Sequence, residues 1–348
     1  MKVLVIGTVD ETHSQISGQF DRTEIIRHGL IKAGYDVSFV NMMNWQRNKF
    51  TVLGAFIKQF FISDTVLFLA SLNGTRAILN IISFLRFFSA KPVFQIAIGG
   101  MSNCEFVKKN LYYRNKVRKL KCVFVEIESM IQEYKSVGID NVVYLPNCKF
   151  INTSANHGNP SFMKPYRFCT YSRVTPSKGI KEAIDVIERL NKRYGLDYCT
   201  LDIYGTYLSE DEQWFKMLMG QASDAVKFKG RIERKDSIST LSQYDAMLFP
   251  TKHLGEGVPG GMIDCYEAGL PIIVCNTSFM STIVLDGKTG FVYNGDEELN
   301  LDRAIIRYTE GLTVEEKKVL RKECIKNAGK YDTNSVIKTL SKYLNDSI

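Results

Sequence analysis

The sequence predicts an α/β protein built as two doubly wound domains that face a cleft. Three observations carry that reading. Short β-branched and aromatic runs alternate with longer helical patterns, the rhythm of parallel sheets joined by crossover helices. The polar stretch from Phe150 to Pro165, FINTSANHGNPSFMKP, breaks that rhythm with glycine, two prolines and several asparagines. After it the alternation restarts, which sets one domain at 1–155 and a second at 165–332. A chain of 348 residues gives each enough length to bury its own core.

The opening MKVLVIG places a charged residue before a short apolar run. It lacks the length and cleavage pattern of a signal peptide and is expected to form the first strand, over 2–7. A helical pattern from 22 to 33 ends at Gly34, a residue suited to a C-cap. Further strands are expected at 36–41, 65–70, 92–97, 122–126 and 142–145. Asn73-Gly74 is expected to break the chain before an apolar helix over 76–89, whose Phe and Leu positions run nearly all round and so belong inside. In the second domain strands are expected at 167–172, 199–204, 226–229, 246–249 and 271–274. Helices are expected at 179–194, 210–219, 235–243 and 261–268, the last ending at Gly269. A final helix within 333–348 is expected to pack back onto the first domain.

Composition narrows the class. Hydrophobic residues make up 45% of the chain and charged residues 24%, the balance of a soluble globular protein. No run approaches the roughly 18 apolar residues of a membrane span. The run over 52–72 carries Lys58 and Asp64, and the run over 77–90 is short and contains Arg86. Eight scattered cysteines, with no Cys-x-x-Cys and no histidine at ligand spacing, argue against a zinc site or disulfide framework and for a reducing, cytoplasmic setting. The net charge of +8 lies entirely in the first half, where residues 1–150 hold 19 Lys and Arg against 11 Asp and Glu. It is densest over 108–121, where Lys108, Lys109, Arg114, Lys116, Arg118, Lys119 and Lys121 are interleaved with Leu111, Tyr112 and Tyr113. That stretch fits an anionic membrane surface, a pyrophosphate group or an ordinary solvated helix face. No recognition motif for nucleic acid accompanies it.

Two segments carry chemistry. In Phe249-Pro-Thr-Lys-His-Leu-Gly-Glu256-Gly257-Val258-Pro259-Gly260-Gly261-Met262-Ile263-Asp264, a strand gives way to a glycine-rich loop and then a helix. Glycines there let backbone N–H groups approach an anion, and the helix start adds partial positive charge, which suits a diphosphate. Glu256 and Asp264 flank the turn and suit sugar hydroxyls, although two solvated acids beside a flexible loop would read alike. The second segment, Ser172-Arg173-Val-Thr-Pro-Ser-Lys178-Gly179, follows a strand and holds a guanidinium fork and an ammonium. The pair suits a departing diphosphate or plain surface charge at a helix start.

Taken together these segments resemble glycosyltransferase family 4, whose members are retaining enzymes of the GT-B fold with two Rossmann-like domains. Ser172-Arg173 through Lys178-Gly179 matches the family's GR-x-x-x-x-KG loop, and Glu256-Gly257-Val258 through Asp264, Gly269 and Pro271 its E-G-F…E-A…G-x-P motif. Supporting matches are Val226-Lys-Phe-Lys-Gly230-Arg231, Leu248-Phe-Pro-Thr251, Asp286-Gly-Lys-Thr-Gly290-Phe-Val and Leu145-Pro-Asn147. The phrasing around Glu256 is similar to members that build bacterial surface polysaccharides.

By this resemblance Arg173 and Lys178 hold the diphosphate of a nucleotide-sugar donor. Glu256 meets hydroxyls of the transferred sugar and Asp264 those of the ribose, while amides over Gly257, Val258, Pro259, Gly260 and Gly261 cradle phosphate. Gly230, Arg231 and Ile232 lie by the nucleobase. Ile16-Ser-Gly18-Gln-Phe is similar to the family's glycine loop near donor and acceptor. Many members place a histidine where this chain has Ile98-Gly99-Gly100-Met101, and none of His13, His28, His157 and His253 matches that position; Gly99 and Gly100 fall on the acceptor side. The second family carboxylate, commonly Glu, is Asp264.

The implied reaction is a front-face substitution in a hexosyltransferase-like enzyme, with no cofactor. No Asp-x-Asp occurs, so the cationic pair is expected to replace a metal. The implied acceptor is a glycan or lipid-diphosphate-linked glycan at the inner face of the cell membrane. Two other readings use the same architecture: a nucleotide-sugar epimerase, which would act without an acceptor, and a non-catalytic nucleotide-sugar-binding subunit. A nicotinamide enzyme is excluded because no Gly-x-Gly-x-x-Gly follows the first strand, and a P-loop because Asp286-Gly-Lys-Thr lacks its upstream glycine.

Overall fold

In the computed structural model, two parallel six-stranded sheets carry the chain. The structure describes residues 1–10, 18–43, 45–152, 158, 160–253, 255–277, 279–295 and 299–346. The chain divides into two units, one of Met1–Phe150, Gly255–Gly260 and Lys330–Ile348, the other of Ile151–Leu254 and Gly261–Gly329.

In the first unit β1 (Lys2–Gly7), β2 (Asp36–Asn41), β3 (Thr65–Ala70), β4 (Val93–Ala97), β5 (Cys122–Val125) and β6 (Val142–Tyr144) are ordered β2-β1-β3-β4-β5-β6. Every residue of β3, β4 and β5 is buried, because helices cover the sheet, and so these strands are apolar apart from Thr65 and Gln95. The helices are α1 (Gly18–Lys32), α2 (Lys49–Ile62), α3 (Leu72–Leu85), α4 (Met101–Lys109), α5 (Leu111–Arg118) and α6 (Ser129–Lys135). The C-terminal helix, Thr333–Asn345, packs on α1 within this unit. Its Ile337 sits so close to Gly29 that a Cβ there would lie 2.6 Å from Ile337 Cγ1.

Three sequence expectations need correcting here. Asn73 and Gly74 do not break the chain; they lie in the first turn of α3, where the small Gly74 fits against the Ala70 methyl group. The helix ends at Leu85, four residues early, and only its Thr75, Ile78, Leu79, Ile82 and Leu85 stripe is buried. Phe84, Phe87 and Phe88 are consequently exposed instead of packed inside. Residues 255–260, expected in the second domain, belong to the first unit, for a reason given with the site below.

The second unit holds β7 (Tyr166–Tyr171), β8 (Cys199–Tyr204), β9 (Val226–Gly230), β10 (Ala246–Phe249), β11 (Ile272–Cys275) and β12 (Gly290–Tyr293), ordered β12-β11-β10-β7-β8-β9. β12 was not foreseen as a strand. It pairs with β11 only because Gly290 has φ of 157° and no side chain, a Cβ there falling 1.9 Å from Ile272 O. The helices are α7 (Ile180–Tyr194), α8 (Ser209–Gln221), α9 (Ser237–Leu241), α10 (Gly260–Glu267, whose first residue belongs to the first unit), α11 (Met280–Ile283), α12 (Asn300–Thr309) and α13 (Val314–Ala328). The expected helix over 235–243 shrinks to α9 and a preceding 3₁₀ turn at Arg234–Asp236.

α13 starts with a reciprocal capping box between Thr313 and Glu316. Its buried Lys317 and Arg321 donate to the carbonyls of Thr309, Tyr244 and Ser242 at 2.8, 3.0 and 2.8 Å, satisfying acceptors at and just beyond the C-terminal ends of α12 and α9. All eight cysteines are free and buried. Among the described residues, no helix is long and apolar enough to cross a membrane.

Candidate functional site

Doubly wound sheets bind ligands beyond the strand carboxyl ends, where successive connections leave in opposite directions. In the second unit that point lies between β7 and β10, since the chain runs from β7 outward to β8 and β9 and from β10 the other way. The loop after β7 turns through a 3₁₀ segment, Pro176–Lys178, to Gly179 in the left-handed region, φ 73°. Gly179 abuts the β10 loop, where a Cβ would fall 2.0 Å from Pro250 O. The Lys252 N–H donates to Ser177 O at 2.9 Å, and the Lys252 ammonium pairs with Glu182, which raises its pKa. The two loops are therefore held as one piece.

On that piece Arg173 is exposed, and its guanidinium has no acidic partner among the described residues. Lys178 is half-buried, with its ammonium 5.5 Å from the centroid of the Phe249 ring. Asp264 is buried in the second turn of α10 and accepts from the Tyr171 hydroxyl at 3.3 Å. α10 approaches β7 closely because Gly261 has no side chain, a Cβ there meeting Tyr171 O at 2.9 Å. Arg173, Lys178 and Asp264 thus gather at the carboxyl ends of β7 and β10. Gly230, at φ 70°, ends the edge strand β9; Arg231 is exposed there and Ile232 half-buried. Gly230 O accepts from Gly205 N at 2.9 Å.

The first unit holds the other sequence-selected residues. Here the switch point lies between β1 and β3, and much of the loop after β1 falls in 11–17, outside the described residues. Ile16 and Ser17 of the glycine loop lie in that gap, as does His13; Gly18 is the exposed first residue of α1. His157 is likewise outside the described residues, while His28 and His253 are exposed. Gly99 and Gly100 join β4 to α4 with φ of 91° and 52°. A Cβ at Gly100 would lie 2.6 Å from Glu256 O, so the 255–260 loop rests backbone to backbone on this turn.

A pair that the sequence did not flag explains why that loop sits in this unit. Arg22 of α1 and Glu126, just past β5, form a buried ion pair. Glu126 Oε2 accepts the Val258 N–H at 3.1 Å, and Asn147 Nδ2 donates to Val258 O at 2.8 Å. The Val258 amide, expected to face phosphate, is therefore committed to a carboxylate, because a buried acid needs donors in place of water. Gly257 has no alternative at its position, since a Cβ would lie 2.3 Å from Glu126 Oε2. Lys149, also unflagged, places its side chain against Gly260 at the start of α10. The one local signal was an acid at a strand's carboxyl end; Arg22 offered none.

The family model for glycosyl transferases group 1 matches residues 153–331, just over half of the chain. The chain belongs to that family. Solved structures similar to this glycosyl transferase include Anabaena Alr3699/HepE in complex with UDP, with a TM-score of 0.77 and 14% identity over 99% of this chain and 100% of that one. The lipopolysaccharide outer core galactosyltransferase WaaB, in its apo form, gives 0.72 and 14% over 100% of both chains. Sucrose-phosphate synthase from Thermosynechococcus elongatus gives 0.73 and 11% over 99% and 98%. At such identities the likeness is one of fold, and the fold is GT-B. No curated protein matches this glycosyl transferase at a significant level.

Proposed function

We propose that this chain transfers a sugar, with retention of anomeric configuration, from a nucleoside-diphosphate sugar to an acceptor hydroxyl. The observation that carries the reading is the joined β7 and β10 loops, which present Arg173 and Lys178 beside the buried Asp264. The anomeric carbon–oxygen bond to the diphosphate breaks, and Arg173 and Lys178 neutralise the charge left on that group. The acceptor oxygen bonds to the same face of the carbon, and its proton passes to a diphosphate oxygen. Glu256 orients the sugar hydroxyls and Asp264 the ribose. Gly230, Arg231 and Ile232 meet the base. The cationic pair fills the part a divalent metal plays elsewhere.

The acceptor in this reading is a lipid-diphosphate-linked glycan of surface polysaccharide synthesis, and the reaction takes place at the cytoplasmic membrane face. The basic first half supports it. The 108–121 stretch is less open than its sequence suggests, because Lys108 pairs with Glu133, Arg118 donates to Val137 O and Gly138 O, and Lys116 meets Asn80 and Tyr112 at 2.5 and 2.7 Å.

A thermal-shift screen of nucleotide sugars tests the donor. A bound donor at a hundred times its dissociation constant is expected to stabilise the fold by about 2.7 kcal/mol. A flat response to every nucleotide sugar counts against the reading. A shifted midpoint without turnover favours a binding subunit, and an epimerised donor formed without acceptor favours an epimerase.

A further inference from the structure

α2 is a helix turned outward. Of its fourteen residues only Phe56 and Phe60 are buried, while Phe50 is 91% exposed and Leu53, Ile57 and Phe61 follow it on the same face. Their spacing of three and four residues makes a stripe along one side of the helix. Beyond α3, Phe87 and Phe88 are 86% and 67% exposed. The two groups are neighbours. Both crossovers, β2 to β3 and β3 to β4, run in the same direction along the sheet, so right-handed connections put α2 and α3 on one face. Lys91 joins them, its ammonium donating to the carbonyls of Phe60 and Phe61, each at 2.7 Å, in the last turn of α2.

The charge around this surface has one sign. From Val37 to Cys104 the sequence holds a single acid, Asp64, against Arg47, Lys49, Lys58, Arg76, Arg86 and Lys91. Asp64 is occupied by the Lys2 N–H at 2.7 Å. Arg47, Lys49 and Lys58 are exposed and have no acidic partner among the described residues. Two copies meeting through this face would bring cations against cations, which disfavours a symmetric dimer. An anionic bilayer satisfies both halves of the surface, with rings entering the headgroup region and cations meeting lipid phosphate.

We infer that the outward face of α2, with the Phe87-Phe88 turn, seats this chain on an anionic lipid bilayer. The inference stands apart from the reaction proposed above and holds whether or not the acceptor is lipid-linked. It is tested by co-sedimentation of the full chain with vesicles of phosphatidylcholine alone and of phosphatidylcholine with phosphatidylglycerol in equal parts. Pelleting with the anionic vesicles, weakened by salt, is expected. The double variants F50S/F61S and F87S/F88S should each lower the partition coefficient about tenfold or more, with thermal midpoints lowered little, since each ring is about half exposed or more and loses at most one ring contact. Failure to pellet with either vesicle overturns the inference, and so does pelleting that neither variant weakens. Light scattering that shows a dimer converted to monomer by the same variants, without vesicle binding, assigns the face to a second copy instead.

Discussion

Arg173→Ala and Lys178→Ala are each expected to lower kcat/KM by about 10²–10³-fold, the usual loss when one preorganised donor to developing charge is removed. The loss should appear in kcat, because charge on the leaving diphosphate is fully developed only as the glycosidic bond breaks. Stability should change little. Arg173 is exposed, and Lys178 gives up a contact with the Phe249 ring worth about 1 kcal/mol at such a site. Steady-state kinetics with the donor found by thermal shift, beside thermal unfolding of both variants, separates the two effects. Near wild-type turnover in both variants would remove the proposed mechanism. Lys178→Arg is informative as well, since a planar fork does not reproduce a compact ammonium held over a ring.

The second large effect belongs to Glu126 and Gly257. Glu126→Ala leaves the buried Arg22 without a counter-charge, a loss of about 3–5 kcal/mol. It also frees the Val258 N–H and so loosens the loop that carries Glu256. Gly257→Ala acts on the same loop without removing a charge. The Glu126 carboxylate cannot swing aside from an added methyl group, since Arg22 and the Val258 N–H both hold it. The loop must move instead, and a displacement of about 1 Å at a catalytic group costs on the order of 10²-fold in rate. The double replacement R22M/E126L separates stability from positioning. Exchanging a buried ion pair for packed apolar groups is often neutral for stability, so the fold should recover while activity stays low for want of the Val258 anchor. Recovery of both would mean that Glu126 serves the fold alone, and a Gly257→Ala protein with unchanged kinetics would mean that the loop tolerates the shift.

The parts of this molecule legible in the sequence are those with local causes. β1, β3 and β10 lie where their apolar runs do, because strands buried on both faces admit little else; β8, whose Cys199, Leu201 and Ile203 are buried in alternation, follows the two-residue period instead. Gly34 and Gly269 end helices at positive φ, as a C-cap requires. The Arg173–Gly179 loop was visible because the turn chemistry and the cations are adjacent in the chain. What stayed hidden depends on distant partners. Arg22 and Glu126 are 104 residues apart, and nothing near either in the sequence points to the other. Residues 255–260 look like any glycine loop until Glu126 and Asn147 are seen holding Val258. α2 escaped notice for a different reason: its apolar residues face outward, so the pattern reads as an unbroken run and not as an amphipathic helix on a core. β12 needed one glycine whose absent side chain makes room for Ile272 O.

Six of the buried thiols have a practical consequence. Burial pushes Cys104 and Cys148 up to about 11 and Cys122 and Cys199 up to about 12, and it raises Cys169 and Cys324 further. Thiolates are scarce at neutral pH under such conditions, and alkylating reagents attack thiolates. Labelling of these six in the native chain should therefore be slow and should follow global opening. A cysteine newly placed on the exposed face of α2 would take up a fluorophore or spin probe ahead of these six.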